Sequence, residues 1–320
     1  MKYLSVCSGI ESTSVAWKDL GFSPVAFAEN ADFPSALLKY HYPNVPNLGD
    51  IKNYKEWSNE LKFDILVGGT PCQSFSVAGL RKGLDDPRGE LALVFLGIVD
   101  KYKPKWVIWE NVYGVLQTNE GKDFGSLLGG MAELGYGFSY RILDSSFFGV
   151  PQHRRRVFIV GHLGDWRPTC SVLFDPESIF RDFKEMGKSE RSISDITEED
   201  IRRNGKPVYC GGNINISNTV TCKWAKQSSG FSKSRSEKSM LVVQPDLSKP
   251  DAPLRLRRIT PKECERLQGF PDNYTNIPYN GDDRAPIGHR YEALGNAISV
   301  PVIKWIGNRI KKFESILCSN

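Results

Sequence analysis

The chain has 320 residues, of which 40% are hydrophobic and 25% charged, with a formal net charge of +5. A chain of this size can bury a substantial core as one large domain or two unequal ones. No apolar run approaches the ~20 residues that span a bilayer, and residues 1–7 lack the basic leader and long apolar stretch of a secretory signal. Seven cysteines without Cys-x-x-Cys spacing fit neither a disulfide framework nor a structural zinc site, so a soluble protein of the reducing cytoplasm is expected.

In chain order, residues 3–7 read as a first strand, Ser8-Gly9 as a turn, and residues 14–20 as a helix stopped by Gly21. Residues 24–28 and 63–67 give two further strands. Asp86-Pro87 ahead of Leu91, Val94, Phe95, Ile98 and Val99 supplies an N-cap, a proline at the first helical position and an apolar helix face, which ends before Lys103-Pro104. Residues 106–109 and 156–161 are strands again, the second preceded by the aromatic pair Phe147-Phe148. Strands alternating with helices over the first ~165 residues predict an α/β protein with a doubly wound, mostly parallel sheet.

From residue 166 to 257 the pattern changes. Ser, Asn, Gly and Lys dominate, with a helix expected only at 194–203 and a short strand at 240–243. Helical signals return at Thr260-Pro261-Lys262-Glu263, a capping pattern with proline at the first position, and a last helix is expected over 301–313. With no internal repeat, the middle third reads as a second, smaller, irregular domain inserted between two parts of the first. Residues 202–258 hold twelve basic side chains against three acidic ones, a local +9 that leaves −4 for the rest. Such segregation suits a polyanion, since each Lys or Arg set on a phosphate releases a condensed counterion; a solvated surface is the plainer alternative.

The residues with chemical potential cluster at predicted strand ends. Gly68-Gly69-Thr70-Pro71-Cys72-Gln73-Ser74-Phe75-Ser76 sets Cys72 at the tip of a turn after an apolar strand, where open parallel sheets bind their ligands. Glu29 ends the second strand, Asp50 follows Gly49 in a turn, and Glu110 with Asn111 ends the strand 106–109. A glycine turn after a first strand, with an acid ending the second, is a nucleoside-binding arrangement in which the acid takes the ribose hydroxyls. Glu29 standing alone reads as a strand-end surface acid. Glu110 follows Val-Ile-Trp, where apolar neighbours favour a protonated carboxyl fit for a general acid; a carboxylate satisfied by a helix N-terminus is the other reading. Gln152-His153-Arg154-Arg155-Arg156 leads into a strand, on which Arg154 and Arg156 are expected to share a face, as a solvated patch or a phosphate clamp.

Taken together these elements resemble the DNA (cytosine-5)-methyltransferase family. The motifs stand in the family's order: Val6-Cys7-Ser8-Gly9-Ile10, Glu29, Gly49-Asp50-Ile51, Gly69 to Ser76, Arg88-Gly89-Glu90-Leu91, Glu110-Asn111-Val112, Gln152 to Arg156, Arg258-Ile259-Thr260-Pro261-Lys262-Glu263-Cys264 and Gly295-Asn296-Ala297-Ile298-Ser299-Val300-Pro301. The resemblance implies a class I S-adenosylmethionine-dependent fold, Rossmann-like, with residues 1–165 and 285–320 as catalytic and cofactor-binding domain and 166–284 as target-recognition domain. It also implies base flipping and addition of Cys72 to cytosine C6, which makes C5 nucleophilic enough to take the methyl group. Glu110 is then implied to act at N3 and Arg156 at O2, with Asn111, Gln152 and Arg154 supporting the loop.

Cofactor contacts implied by the resemblance are Ser8, Gly9 and Ile10, Glu29 and Asn30, Asp50 and Ile51, Gly69 and Pro71, and Asn296 and Ser299. DNA contacts implied are Gln73, Ser74, Arg81, Lys82 and Arg88 on a mobile loop over residues 74–88, and Lys223, Lys226 and Arg235 in the recognition domain, with Asn213, Asn215, Asn218 and Gln227 as further unranked readers. Duplex DNA is the partner implied, with no metal and no membrane, for a monomer that either pairs functionally with a restriction endonuclease or acts alone. Two departures stand out: Glu11-Ser12 follow Gly9 where the family continues with glycines, and Asn30 takes a position often aromatic. An RNA methyltransferase, a silent DNA-binding relative and a nucleotide-dependent oxidoreductase are the rival classes. The first needs no large basic insertion, the second has no reason to keep Cys72 and Glu110, and the third needs a fuller glycine fingerprint.

Overall fold

A computed structural model describes residues 1–70, 91–174, 208–210, 241–245 and 254–318. The chain divides into two compact units, the first made of Met1–Leu143, Arg155–Pro176 and Ala297–Asn320, the second of Asp144–Arg154 and Glu177–Asn296.

The first unit is built on a six-stranded sheet. Its strands are β1 (Lys2–Val6), β2 (Ser23–Ala28), β3 (Ile65–Gly68), β4 (Trp106–Val112), β5 (Tyr136–Asp144) and β6 (Arg155–Leu163), in the spatial order β2-β1-β3-β4-β6-β5. β1 runs parallel to β2 and β3, and β3 parallel to β4, whereas β6 is antiparallel to β4. The expected mostly parallel α/β sheet is therefore present, with its antiparallel part at one side. Central strands covered on both faces read as continuous apolar runs, and all four residues of β3 are buried.

Helices cover both faces. Alternate residues of the sheet, among them Leu4, Val6, Leu66, Val107, Trp109 and Ile159, pack with α3 (Leu91–Tyr102) and α4 (Lys122–Glu133). The intervening residues point the other way. There Tyr3 meets Trp17 of α1 (Ser12–Trp17) edge-on at 5.0 Å, and Trp106 meets Phe313 of α8 (Val300–Cys318) at 5.9 Å. α2 (Asp32–His41) follows β2, and α5 (Arg167–Leu173) follows β6. The cap expected at Asp86-Pro87 lies outside the described residues.

The second unit holds a three-stranded antiparallel sheet, β7 (Val208–Cys210), β8 (Leu241–Pro245) and β9 (Leu254–Arg258), and the helices α6 (Pro261–Gln268) and α7 (Ile287–Asn296). α6 starts as its sequence dictates: Thr260 accepts from the Glu263 amide, and Glu263 accepts from the Thr260 amide. Glu265, fully buried, accepts from the amides of Asn273 and Thr275, the Thr275 hydroxyl and the Arg290 guanidinium. A buried carboxylate supplied with this many donors, one of them charged, is tolerated where a lone one is not. The helix expected at 194–203 lies outside the described residues.

α1 and α8 meet through Gly307, whose absent side chain leaves room for the Trp17 indole: a Cβ there lies 2.2 Å from Trp17 Nε1. That indole is itself fixed by donating to the Ile303 carbonyl at 2.9 Å. Gly307→Ala is expected to destabilise the protein by about 1–3 kcal/mol through overpacking, read as a lowered thermal midpoint with unchanged far-ultraviolet circular dichroism at low temperature.

Candidate active site

The carboxyl ends of the parallel strands gather two groups of side chains in the first unit. At the end of β1 the chain turns through Ser8, Gly9 and Ile10, closed by the Glu11 amide donating to the Ser8 carbonyl at 2.9 Å. At the end of β2, Glu29 accepts the Gly9 amide on Oε2 at 2.8 Å and the Ala31 amide on Oε1 at 2.8 Å. Asn30 donates to Asp50 Oδ2 at 3.3 Å, Asp50 caps the following turn through the Lys52 amide, and Ile51 is buried beside it. The expected cofactor residues Ser8, Gly9, Ile10, Glu29, Asn30, Asp50 and Ile51 are thus one cluster. The space above Gly9 is open, with nothing within 4 Å of the position a Cβ would take. Half-exposed carboxylates around an open glycine turn fit the hydroxyls and amines of a nucleoside. Ser299 is buried with its hydroxyl unpartnered among the described residues, as an orphaned group awaiting a ligand would be. Asn296 is exposed at the end of α7 in the second unit.

The second group is centred on β4. Gly68 pairs with Trp109 in register, so Gly69 comes level with Glu110. A Cβ at Gly69 would stand 2.9 Å from Glu110 Oε2 and 3.2 Å from its carbonyl, so a side chain is excluded there. Thr70 is pinned twice: Trp109 Nε1 donates to its hydroxyl at 3.0 Å and Asn111 Nδ2 to its carbonyl at 2.8 Å. The chain therefore leads on toward Pro71 and Cys72 from a point fixed beside Glu110. Pro71, Cys72, Gln73, Ser74, Arg81, Lys82 and Arg88 themselves lie outside the described residues, as do Asn213, Asn215, Asn218, Lys223, Lys226, Gln227 and Arg235.

Glu110 is accompanied by a cation. Arg156 of β6 brings Nε to 3.3 Å from Glu110 Oε1, both side chains being largely buried, at 15% and 10% exposure. Burial disfavours the guanidinium charge and Glu110 supports it. The expectation of a purely apolar setting for Glu110 omitted this partner. It is invisible locally because it depends on β4 and β6 pairing with Val112 opposite Arg156, which makes Glu110 and Arg156 diagonal neighbours on one face.

The expected face-sharing of Arg154 and Arg156 does not hold, since β6 begins at Arg155 and Arg154 lies in the preceding loop, where strand alternation has no meaning. Arg154 is buried in the second unit, with Nη2 donating to the Gly295 carbonyl at 3.1 Å and its amide to Asp144 Oδ1 at 3.1 Å. Gln152, fully buried, donates to the Leu267 carbonyl at 2.9 Å and to Gln268 Oε1 at 3.3 Å; Gln268 in turn donates to the Leu294 carbonyl at 2.7 Å. Both residues tie the ends of α6 and α7. Arg155, by contrast, is exposed and lies 4.9 Å over the ring of Tyr113.

Three residues of this site carried no assigned role in the sequence reading: Thr70, Trp109 and Glu11. The first two take their meaning from the β3–β4 register, which no local signal encodes. Glu11 was visible only as a departure from glycine, yet it sits in the left-handed conformation (φ 60°), fully buried, as the N-cap of α1. A non-glycine residue held there costs roughly 1–3 kcal/mol unless its surroundings offset it. Its Oε1 accepts from the Ser14 amide at 3.0 Å and the Ser14 hydroxyl at 3.1 Å, and that hydroxyl lies 2.6 Å from the Tyr3 hydroxyl. Burial pushes the Glu11 carboxyl up from 4.5 to about 7, against the Ser5 and Ser14 hydroxyls. The neighbouring Cys7 thiol is held up at about 12 by burial and by Glu29 and Asp50, which leaves it no nucleophile.

A sheet of this order, with helices on both faces and its candidate residues at the carboxyl ends of parallel strands, is the class I S-adenosylmethionine-dependent methyltransferase fold. The chain belongs to the C-5 cytosine-specific DNA methylase family, whose model matches residues 1–312. It is 31% identical to a protein of Escherichia phage P1 described as a DNA N-6-adenine-methyltransferase, over 97% of this chain and 61% of that protein. It is 29% identical to the type II methyltransferase M2.BsuMI of Bacillus subtilis, over 98% of this chain and 76% of that one. Among solved structures, a mutant of the Spodoptera frugiperda DNMT2 matches at a TM-score of 0.62, with 21% identity, 97% of this chain and 99% of that one covered, a likeness of fold alone. Among the described residues no cluster of potential metal ligands occurs, and no helix is long and apolar enough to cross a membrane.

Thr70→Val keeps the shape but strands the Trp109 indole N–H in a buried place. The variant is expected to lose about 1–3 kcal/mol of stability, measured as a lowered urea midpoint.

Proposed function

We propose that this chain transfers a methyl group from S-adenosylmethionine to C5 of a cytosine in duplex DNA, through a flipped base and a covalent bond between Cys72 and C6. The observation that carries the reading is the double pinning of Thr70, two residues before Cys72, by Trp109 and Asn111 beside the Glu110–Arg156 pair. When bound, S-adenosylmethionine supplies an electrophilic methyl on a sulfonium. The protein's share is to make C5 able to attack it.

The Cys72 thiolate adds to C6 while Glu110 holds a proton at N3, so that the electron pair displaced from the 5,6-double bond gathers at C5. Arg156 faces O2 of the same ring and, paired with Glu110, keeps that acid in one orientation. C5 takes the methyl. A water takes the C5 proton, the electron pair reforms the 5,6-double bond and expels the Cys72 thiolate, and the N3 proton returns to Glu110, restoring the aromatic ring and the free enzyme. Ser8, Gly9, Glu29, Asn30 and Asp50 hold the nucleoside end of the donor, and Ser299 offers its hydroxyl to the ligand.

Gln152 and Arg154 act as internal ties of the second unit, which serves as the target-recognition domain. Its basic segment from 202 to 258 holds the phosphates. Lys223, Lys226 and Arg235 lie in that segment, and Gln73, Ser74, Arg81, Lys82 and Arg88 contact the DNA from the stretch that follows Cys72. A chain of this kind protects its recognition site from a restriction nuclease of the same specificity.

The test is direct. Purified protein with labelled S-adenosylmethionine and mixed-sequence duplex DNA is expected to yield 5-methylcytosine on nucleoside digestion. Release of N6-methyladenine alone, or label transferred only to RNA, would sink the reading. Cys72→Ser is expected to bring activity to background. Glu110→Gln is expected to lower kcat by about 10²–10⁴-fold with little change in DNA affinity measured by gel shift.

A further inference from the structure

Glu11 belongs to none of the roles assigned above, yet it closes the turn on which the proposed donor site is built. Four observations converge on it. Its backbone is in the left-handed region, its amide closes the turn onto Ser8, its side chain caps Ser14, and its carboxyl is fully buried. Among the described residues only its Oε1 makes hydrogen bonds of good geometry, and Oε2 is buried without one. Two residues earlier, Gly9 gives its amide to Glu29.

We propose that Glu11 is a positioning residue for the cofactor turn: by capping Ser14 it locks the turn from Ser8 to Glu11 in its left-handed form, and so fixes the Gly9 amide against Glu29 where the ribose hydroxyls are to be received. This rests on the donor-site reading given under the proposed function. A glycine at this position adopts the same backbone without strain but has no side chain to hold it. The chain thus replaces a permissive turn with a braced one.

The brace works best uncharged. The polar groups acting on the carboxyl are Ser5 of β1 and Ser14 of α1, with the Tyr3 hydroxyl behind Ser14. Among the described residues β2 and α8, which also pack on α1, bring no charged group to it. The closed turn therefore favours the protonated acid, whose value is raised to about 7, whereas an opened, hydrated turn returns it toward 4.5. The sign follows by linkage: closing the turn takes up a proton. Its contribution is full below about 4.5, declines as the pH rises toward about 7, and is lost above that.

The test uses the full-length protein and S-adenosylhomocysteine, titrated calorimetrically from pH 5.5 to 8.5, with steady-state methylation alongside. Glu11→Gly is expected to weaken binding about tenfold and raise KM for S-adenosylmethionine to match, with kcat within about twofold of the wild type. Glu11→Gln, which keeps the cap and does not ionise, is expected to bind within about twofold of the wild type at pH 6. The ratio of Gln-variant to wild-type affinity is expected to grow with pH up to about 7 and then level off. Glycine binding as tightly as glutamate, or a Gln-variant affinity that tracks the wild type across the whole range, would overturn the proposal; the second arm stands even if the glycine variant fails to fold. Absence of binding by the wild type itself would overturn the donor-site reading, and this inference with it.

Discussion

The site depends on the register between β3 and β4. Because Gly68 faces Trp109, the next two residues of each strand meet as well, and both meetings are tight: Gly69 has no room for a side chain beside Glu110, and Thr70 is held from two directions. A slip of one residue turns every side chain of β4 to the opposite face. Glu110 would then enter the core and Trp109 the site. The fit of the large aromatics opposes that slip, since Trp106 meets His162 and Phe313 on one face and Trp109 meets Phe124 on the other. Side-specific aromatic packing thus fixes the acid.

Electrostatics adds a second layer. Glu110 and Arg156 are both largely buried, and each makes the other's charge tolerable. Glu29 and Asp50 stand at half-exposed positions beyond their strands, where water still reaches them. The two carboxylate groups of the unit therefore work under different dielectric conditions. The dry one is suited to proton handling, and the wet ones to hydroxyls and amines.

Much of this was legible in the amino-acid order, and for identifiable reasons. β3 and β4 announce themselves by the apolar runs at 65–67 and 106–109, β1 by Tyr3, Leu4 and Val6, and α6 by the Thr260–Glu263 box. α4 was not foreseen because Gly125, Gly129 and Gly130 mask its apolar face, which shows only once Leu127 and Met131 are seen buried together. β5, mostly half-exposed, carries too little alternation to be noticed. At the site, strand-end acids were readable from position, whereas the Arg156 partnership, the pinning of Thr70 and the burial of Gln152 and Arg154 arise from pairings across tens to hundreds of residues. Such contacts leave no local mark.

The packing of α1 on α8 joins Trp17 to Ile303 across 286 positions. On a ribosome, the first helix is made early and its cover very late. Through most of synthesis, then, the side of α1 that α8 covers lacks its permanent neighbour, although Trp17 already has Tyr3 and Phe22 beside it. A topology with so distant a closing contact folds slowly and exposes adhesive surface meanwhile, so α8 acts as a clasp that closes over α1 only after all the residues between them have been made.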